Sequence, residues 1–435
     1  MSAPTNNPPP HVGGYERFLD YNKSLACIHC GLCLSSCPTY LETGNENDSP
    51  RGRIYLMRAV QDGRMALDKS VVRHIDLCLG CRACEVACPS GVQYGELLES
   101  TREHIEKSFK RSAFQQFFRR VAIERVFPFP QRMKLALLPA KLIRALRVES
   151  LLPKIAREAL TLLPQESIEV KLPELSPATN EPKRGRVGFI SGCVMSVMFG
   201  KTNASSVQLL NWCGYDVVTP GSQGCCGALY AHGGNLKRAR ECARANIEVF
   251  EKLDLDAIII NAAGCGSTLK EYGHLLHDDP QWAERGWQFS AKVKDLTEWL
   301  AKSEVRNQKS EVKLSNRVTY HDACHLAHPQ RITKQPRELI RAVVGSNFVE
   351  LPESDVCCGS AGSYNLTEPE MAERLQKRKI ENILKTDAQI VVTTNPGCML
   401  QIQAGLAKAG ATEIKVMHIS DFLLLFASKE SNFDS

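Results

Sequence analysis

Polar and apolar positions alternate along this chain in two ways. In its second half, short β-branched and aliphatic runs recur at 186–190, 215–219 and 257–261, and again at 317–321, 348–351, 389–394 and 414–418. Runs of that length, bounded by glycine-rich or polar segments, read as buried strands. Between them, residues 201–213 and 234–252 read as helical stretches. Strands alternating with helices predict α/β units with a largely parallel sheet. The first half is different. There Ser49-Pro50-Arg51-Gly52-Arg53-Ile54-Tyr55-Leu56-Met57-Arg58 predicts a helix that begins at Pro50 and carries Ile54, Met57 and Val60 on one face. Further on, Met133–Leu138 and Ala140–Val148 read as short basic amphipathic helices broken by Pro128, Pro130, Pro139 and Pro153. Residues 1–20 read as a flexible lead-in and 171–184, rich in Pro, Ser and Glu, as a linker.

These patterns predict an α+β multidomain chain: an α-helical N-terminal domain over 1–100, a basic helical connector and linker over 101–184, and two α/β units over 185–310 and 311–435. With 43% hydrophobic and 23% charged residues the composition is that of a globular protein. No apolar run is long enough to span a bilayer, and the polar, Pro-rich start does not read as a signal peptide. Charge changes the picture more by place than by size. The net charge is +6, yet residues 107–147 alone hold eleven Lys/Arg against one acidic residue, Glu124. Such a stretch suits docking on an anionic membrane surface or an acidic partner, or else a solvated connecting layer. Nucleic acid is not expected, because no recognised binding motif accompanies the charge.

Eighteen cysteines in metal-ligand spacings point to a reducing compartment rather than a disulfide framework. Two runs share the spacing Cys-x2-Cys-x2-Cys-x3-Cys-Pro: Cys27, Cys30, Cys33, Cys37 with Pro38, and Cys78, Cys81, Cys84, Cys88 with Pro89. This is the bacterial ferredoxin motif, whose fourth cysteine ligates the other cluster. The expected ligand sets are therefore Cys27, Cys30, Cys33 and Cys88 for one [4Fe–4S] cluster, and Cys78, Cys81, Cys84 and Cys37 for the second. Zinc sites more often use paired Cys-x2-Cys or Cys/His spacings. His29 sits inside the first motif, where cysteine already fills each ligand position. Arg51 and Arg53 are expected either beside the anionic clusters or in a surface salt bridge.

The second half is also an internal repeat. Cys193, Cys225, Cys226 and Cys265 in the first copy are separated by 31 and then 38 residues; Cys324, Cys357, Cys358 and Cys398 in the second by 32 and then 39. Each set follows a strand end or lies in a Gly-rich loop, the edge where open α/β sheets place their sites. Four thiols per copy suffice for a further iron–sulfur centre at either repeat. His321, His325 and His328 crowd Cys324 as candidate donors behind the ligands. Cys213 and Cys242 have no counterpart in the other copy and are expected to pack as small apolar residues. Gly264-Cys265-Gly266 lacks the third glycine of a dinucleotide fingerprint, so no nicotinamide or flavin site is expected here.

The doubled ferredoxin motif, Pro50-Arg51-Gly52-Arg53-Ile54-Tyr55-Leu56, Lys270-Glu271-Tyr272-Gly273 and the two Cys-Cys-Gly repeats, the second reading Cys357-Cys358-Gly359-Ser360-Ala361-Gly362, resemble the iron–sulfur subunit of bacterial glycolate dehydrogenase, also called glycolate oxidase. The likeness runs along nearly the whole chain. It implies an oxidoreductase complex at the cytoplasmic face of the inner membrane, peripheral to it. FAD-binding partner subunits would oxidise glycolate to glyoxylate, and this subunit would pass the electrons toward quinone. Related architectures in D-lactate and glycerol-3-phosphate dehydrogenase subunits, and in heterodisulfide reductase, leave those equivalents open. One departure separates the chain from heterodisulfide reductase. There each repeat ends in Cys-x2-Cys, whereas here Thr268 stands three after Cys265 and Gln401 three after Cys398.

Overall fold

The computed structural model describes residues 18–146, 160, 170–302 and 315–427. The chain forms two compact units: residues up to Arg111 with His232–Asn235, and Ser112–Ala231 with the chain from Leu236 onward.

The first unit is helical. Its longer helices are Pro50–Gln61, Lys69–Asp76 and Tyr94–Ser108, with short ones at Tyr21–Leu25, Pro38–Thr43 and Ala83–Val86. The helix at Pro50 starts for a local reason. The Ser49 hydroxyl accepts the Gly52 N–H at 3.0 Å, and Pro50 occupies the first turn, where its missing N–H costs nothing. Ile54, Met57 and Val60 then pack with Val71, Ile75, Leu97, Leu98 and Ile105 into one core. Asp68 caps the next helix through the N–H groups of Ser70 and Val71. The two cysteine loops share a backbone device. Residues two and four after the first cysteine are left-handed in both: His29 and Gly31 in one, Gly80 and Arg82 in the other. Each loop thus forces one non-glycine residue into that region.

The second unit holds two sheets. In the first, Leu175–Ser176 (β1), Gly185–Ile190 (β2), Tyr215–Val218 (β3), Ala257–Ile260 (β4) and Val293–Asp295 (β5) lie in the order β1-β3-β2-β4-β5. All pairs are parallel except β1 against β3. In the second, Val318–Tyr320 (β6), Phe348–Val349 (β7), Ile390–Thr393 (β8) and Lys415–His418 (β9) run in the order β7-β6-β8-β9, all parallel. Leaving β1 aside, the orders match: in each repeat the first strand lies between the second and third. The chain therefore leaves that strand in opposite directions, which opens a crevice at the carboxyl ends of β2 and β4 and of β6 and β8. Val187, Phe189 and Ile259 share a core with Val318, Tyr320, Val392 and Phe422, so the two repeats are packed together. Their loops also interlock: the Ala263 N–H donates to the Thr394 carbonyl (3.2 Å) and Gln330 Nε2 to the Ala263 carbonyl (3.1 Å).

Three expectations need correction. The segment 171–184 is not wholly linker, because β1 pairs Leu175 with Val218 and Ser176 with Val217 at the sheet edge. The helix Pro130–Ala145 passes straight through Pro139. Pro130 takes its first turn, and the carbonyl that Pro139 leaves unbonded belongs to Leu135, which is exposed to water. Pro153 lies outside the described residues. The strand β5 was not expected, since Val293-Lys294-Asp295 is short and polar at its middle.

Candidate functional site

Four cysteines of the first unit converge. Cys37, Cys78, Cys81 and Cys84 line one cavity together with Arg53 and Tyr94. The chain reaches this arrangement by burying the second loop while the helix start at Pro38 turns Cys37 inward; all four thiols are buried. The surrounding groups point hydrogens at sulfur. Gly80 N–H and the Tyr94 hydroxyl donate to Cys78 Sγ at 3.4 and 3.5 Å, and the Thr39 hydroxyl lies 3.3 Å from Cys37 Sγ. Arg53 is almost fully buried. It donates to the His74 carbonyl (2.7 Å) and the Thr39 hydroxyl (3.0 Å), and its Nη1 lies 3.9 Å from Cys37 Sγ. The electrostatics divide accordingly. Burial pushes the Cys78 thiol up, but Arg53, Arg102 and the Tyr94 hydroxyl overcome it, so Cys78 lies below its ordinary value. Burial, with the neighbouring Cys81, Cys78 and Cys37, drives Cys84 well up. A buried cation facing four thiols is a fitted setting for an anionic cluster.

The other N-terminal thiols sit nearer the surface. Cys27, Cys33 and Cys88 are half-buried against the same core, and Cys30 is exposed. Burial raises the Cys33 thiol, a hydrogen bond from the Arg51 backbone N–H lowers it, and Cys27 and Cys37 nearby raise it again. The two arginines thus take different parts. Arg51 makes the surface pair with Glu46 (2.6 Å) and donates to the His29 carbonyl at 2.9 Å, while Arg53 faces the thiols.

In the second unit each repeat gathers its own thiols at the crevice. Cys193 follows β2, Cys265 follows β4, and the loop after β3 brings Cys225 and Cys226; the Sγ atoms of Cys193 and Cys225 lie 3.6 Å apart. Glycine is required at the end of that loop. Gly227 has φ +86° and Gly359 φ +89°; a side chain's first carbon would lie 3.2 Å from the Ala239 carbonyl oxygen at the one and only 2.6 Å from that of Ala372 at the other. Hydrogen bonds from Cys193, Cys226 and Cys242 pull the Cys225 thiol well below its ordinary value. Cys242 therefore reaches the basin while also packing, as expected, against the apolar cluster of Tyr230, Ala231, Leu236 and Ala239. It was hidden in the sequence because it lies on the helix Leu236–Phe250, at a position where the second repeat has Leu375. Cys213 does pack among apolar core residues.

The second basin joins Cys324 to Cys357, Cys357 to Cys358, and Cys358 to Cys398 through thiol hydrogen bonds. His321, Cys358 and Cys398 present their donor atoms within 4.8 Å of one another. All three histidines near Cys324 are buried. His328 Nε2 is occupied by the Asp355 carbonyl at 3.1 Å, whereas His321 has its ring among the thiols. Burial and the Lys379 charge hold His321 well below the ordinary imidazole range, against the Ser354 backbone, which raises it; the ring is neutral.

Comparison with known proteins accords with this arrangement. The 4Fe-4S dicluster domain family matches residues 23–92, and the cysteine-rich domain family matches residues 187–270 and 318–403. A probable glycolate oxidase iron-sulfur subunit of Bacillus subtilis is 40% identical over 96% of this chain and 97% of its own. The chain belongs to the glycolate oxidase iron-sulfur subunit family. The glycolate oxidase iron-sulfur subunit of Escherichia coli is 33% identical over 90% of this chain and 91% of its own length. A crystal structure of a hypothetical protein from Helicobacter pylori, 10% identical, shares the fold over 95% of this chain and 76% of that one with a TM-score of 0.53. As a member of this family the chain is the iron–sulfur, electron-transferring subunit of an oxidoreductase. Among the described residues no helix is long and apolar enough to cross a membrane.

Proposed function

We propose that this subunit carries electrons from glycolate, oxidised to glyoxylate on FAD-binding partner subunits, toward a quinone. It would hold one [4Fe–4S] cluster on Cys27, Cys30, Cys33 and Cys88 and another on Cys78, Cys81, Cys84 and Cys37. When bound, such clusters supply one-electron transfer. The observation that carries the reading is the cavity shared by Cys37, Cys78, Cys81 and Cys84. Around it, Arg53 offsets thiolate charge, and Gly80 and Tyr94 donate to sulfur, which raises the potential of a bound cluster. The other set lies at an apolar edge. Ile28 and Leu32, on either side of Cys30, are 68% and 58% exposed, which suits a partner protein's surface. A further iron–sulfur centre belongs with the all-thiol basin of the first repeat, Cys193, Cys225, Cys226 and Cys265. The basic stretch between the units' cysteine sites supports peripheral contact with the cytoplasmic face of the membrane.

The test is anaerobic purification with iron analysis and electron paramagnetic resonance. About eight irons per chain corresponds to the two N-terminal clusters, and about twelve adds one at the first repeat. With the flavin subunits added, glycolate should reduce the clusters. A normally folded chain that is colourless and iron-free when made without air would overturn the reading.

A further inference from the structure

The second repeat differs from the first by one buried nitrogen. His321 directly follows β6, three residues before Cys324, where the first repeat has Ile190 three residues before Cys193. Ile190 packs in an apolar core. His321 is fully buried, and neither of its ring nitrogens has a hydrogen-bond partner of good geometry. A buried imidazole in that condition has given up its hydration for no more than a weak contact with the Ser354 backbone. Its neighbours are the sulfurs of Cys358 and Cys398, all three donors lying within 4.8 Å of one another.

We propose that the second repeat binds one thiophilic divalent cation of the zinc class through His321, Cys358 and Cys398, with Cys357 as the fourth donor. The donor set favours one ion over a cluster: an imidazole nitrogen beside thiols is a zinc ligand pattern, and a tetrahedral ion about 2.0–2.3 Å from each donor fits a triad whose atoms lie within 4.8 Å of one another. Charge agrees. Three thiolates and a neutral imidazole on a divalent ion leave one negative charge, and buried Lys379 lies within electrostatic reach of Cys357 and Cys358. Lys379 is held there by the Glu353 and Ser354 carbonyls. Asn395 Nδ2 donates to Cys398 Sγ at 3.5 Å, the kind of outer contact that fixes a metal ligand. Binding would release the thiol protons to solvent and tie β6, the Cys-Cys-Gly loop and the helix Pro396–Lys408 together, a closed structural site. The first repeat, with Ile190 where the second has His321, keeps a purely thiol basin.

The full chain, purified anaerobically from medium containing both iron and zinc, is examined by metal analysis and zinc-edge X-ray absorption. The expected result is about one zinc per chain in a shell of three sulfurs and one nitrogen. His321→Ala should lose about tenfold or more of the zinc retained after a chelator wash, with iron content and the paramagnetic signals unchanged. His321→Cys, which supplies a thiolate, should keep zinc in a four-sulfur shell, and it serves as the readout if the alanine variant does not fold. A wild-type chain without zinc, a zinc shell unaltered by either substitution, or a loss of about four irons in place of zinc would each overturn the proposal. Failure of the N-terminal relay would appear separately, as missing iron signals in every variant.

Discussion

Arg53 shows what a single side chain contributes and how little of that its neighbourhood in sequence reveals. Arg51 and Arg53 are two residues apart on one helix turn, so no pattern says which faces solvent. Packing decides it: Glu46 reaches Arg51, whereas Thr39, the His74 carbonyl and Cys37 enclose Arg53. Substituting Arg53→Gln removes a buried positive charge beside the second cysteine set. The expected outcome is a midpoint potential more negative by on the order of 100 mV for one of the two N-terminal clusters, what a unit charge a few ångström away is worth in a partly screened interior. Arg53→Lys, which keeps the charge, should shift it by much less. A redox titration followed by electron paramagnetic resonance separates these results, and two unmoved potentials in the glutamine variant would detach Arg53 from the site. The cysteines themselves were legible because ligand spacing is a local property. His321 and Cys242 were not, since what makes them donors is the crevice that only the folded sheets create.

Among the elements, the strands β2, β4, β6 and β8 announced themselves because they are buried over most of their length and rich in aliphatic and β-branched residues. β5 did not, although it carries a consequential residue. Asp295 ends that strand and caps the helix Leu296–Leu300, accepting from the Thr297 N–H at 2.8 Å and from its hydroxyl at 2.5 Å. Its other carboxylate oxygen is buried without a partner. Burial pushes this carboxyl up to about 6, with the Thr297 bonds opposing it. The folded-state pKa is above the unfolded one, so the folded chain holds a proton that the unfolded chain has already lost. Stability contributed by that proton is present in full below about pH 4 and is lost as pH rises to about 6, a ceiling of about 3 kcal/mol. Asparagine keeps the cap and puts a neutral donor where the orphaned oxygen lies. Asp295→Asn should therefore be more stable than the parent by about 1–2 kcal/mol at pH 8 and lose the pH-dependent difference between pH 4 and 6. Denaturant unfolding of both proteins across that window checks it. A variant less stable at pH 8 would show that the carboxylate is compensated in the fold.

At the scale of the whole molecule the charge is unevenly spread: residues 107–147 carry ten more positive than negative groups, so the rest of the chain is slightly acidic. The helix Pro130–Ala145 at the end of this stretch is turned so that Met133 is buried, while Leu135, Leu138, Leu142 and Leu146 are exposed, 54–68% each. Their spacing of three and four residues places them along one stripe, with Arg132 on one flank and Lys134 and Lys141 on the other. An exposed leucine stripe bordered by cations is what an anionic bilayer surface accommodates: the apolar side chains enter the headgroup boundary while the cations meet lipid phosphate. An acidic protein surface would match the charge but leave four leucines without a reason to be bare. The intact chain should therefore float with vesicles containing anionic phospholipid and not with zwitterionic ones. Binding should weaken steeply as salt is raised, because exposed charges are screened within about 8–10 Å at physiological ionic strength. Replacing Leu138 and Leu142 by glutamate should abolish flotation while leaving the iron content intact, since neither residue touches a cysteine site. Loss of salt dependence with flotation retained would assign the contact to leucines alone, and flotation unaffected by the double substitution would move the docking surface elsewhere on the subunit.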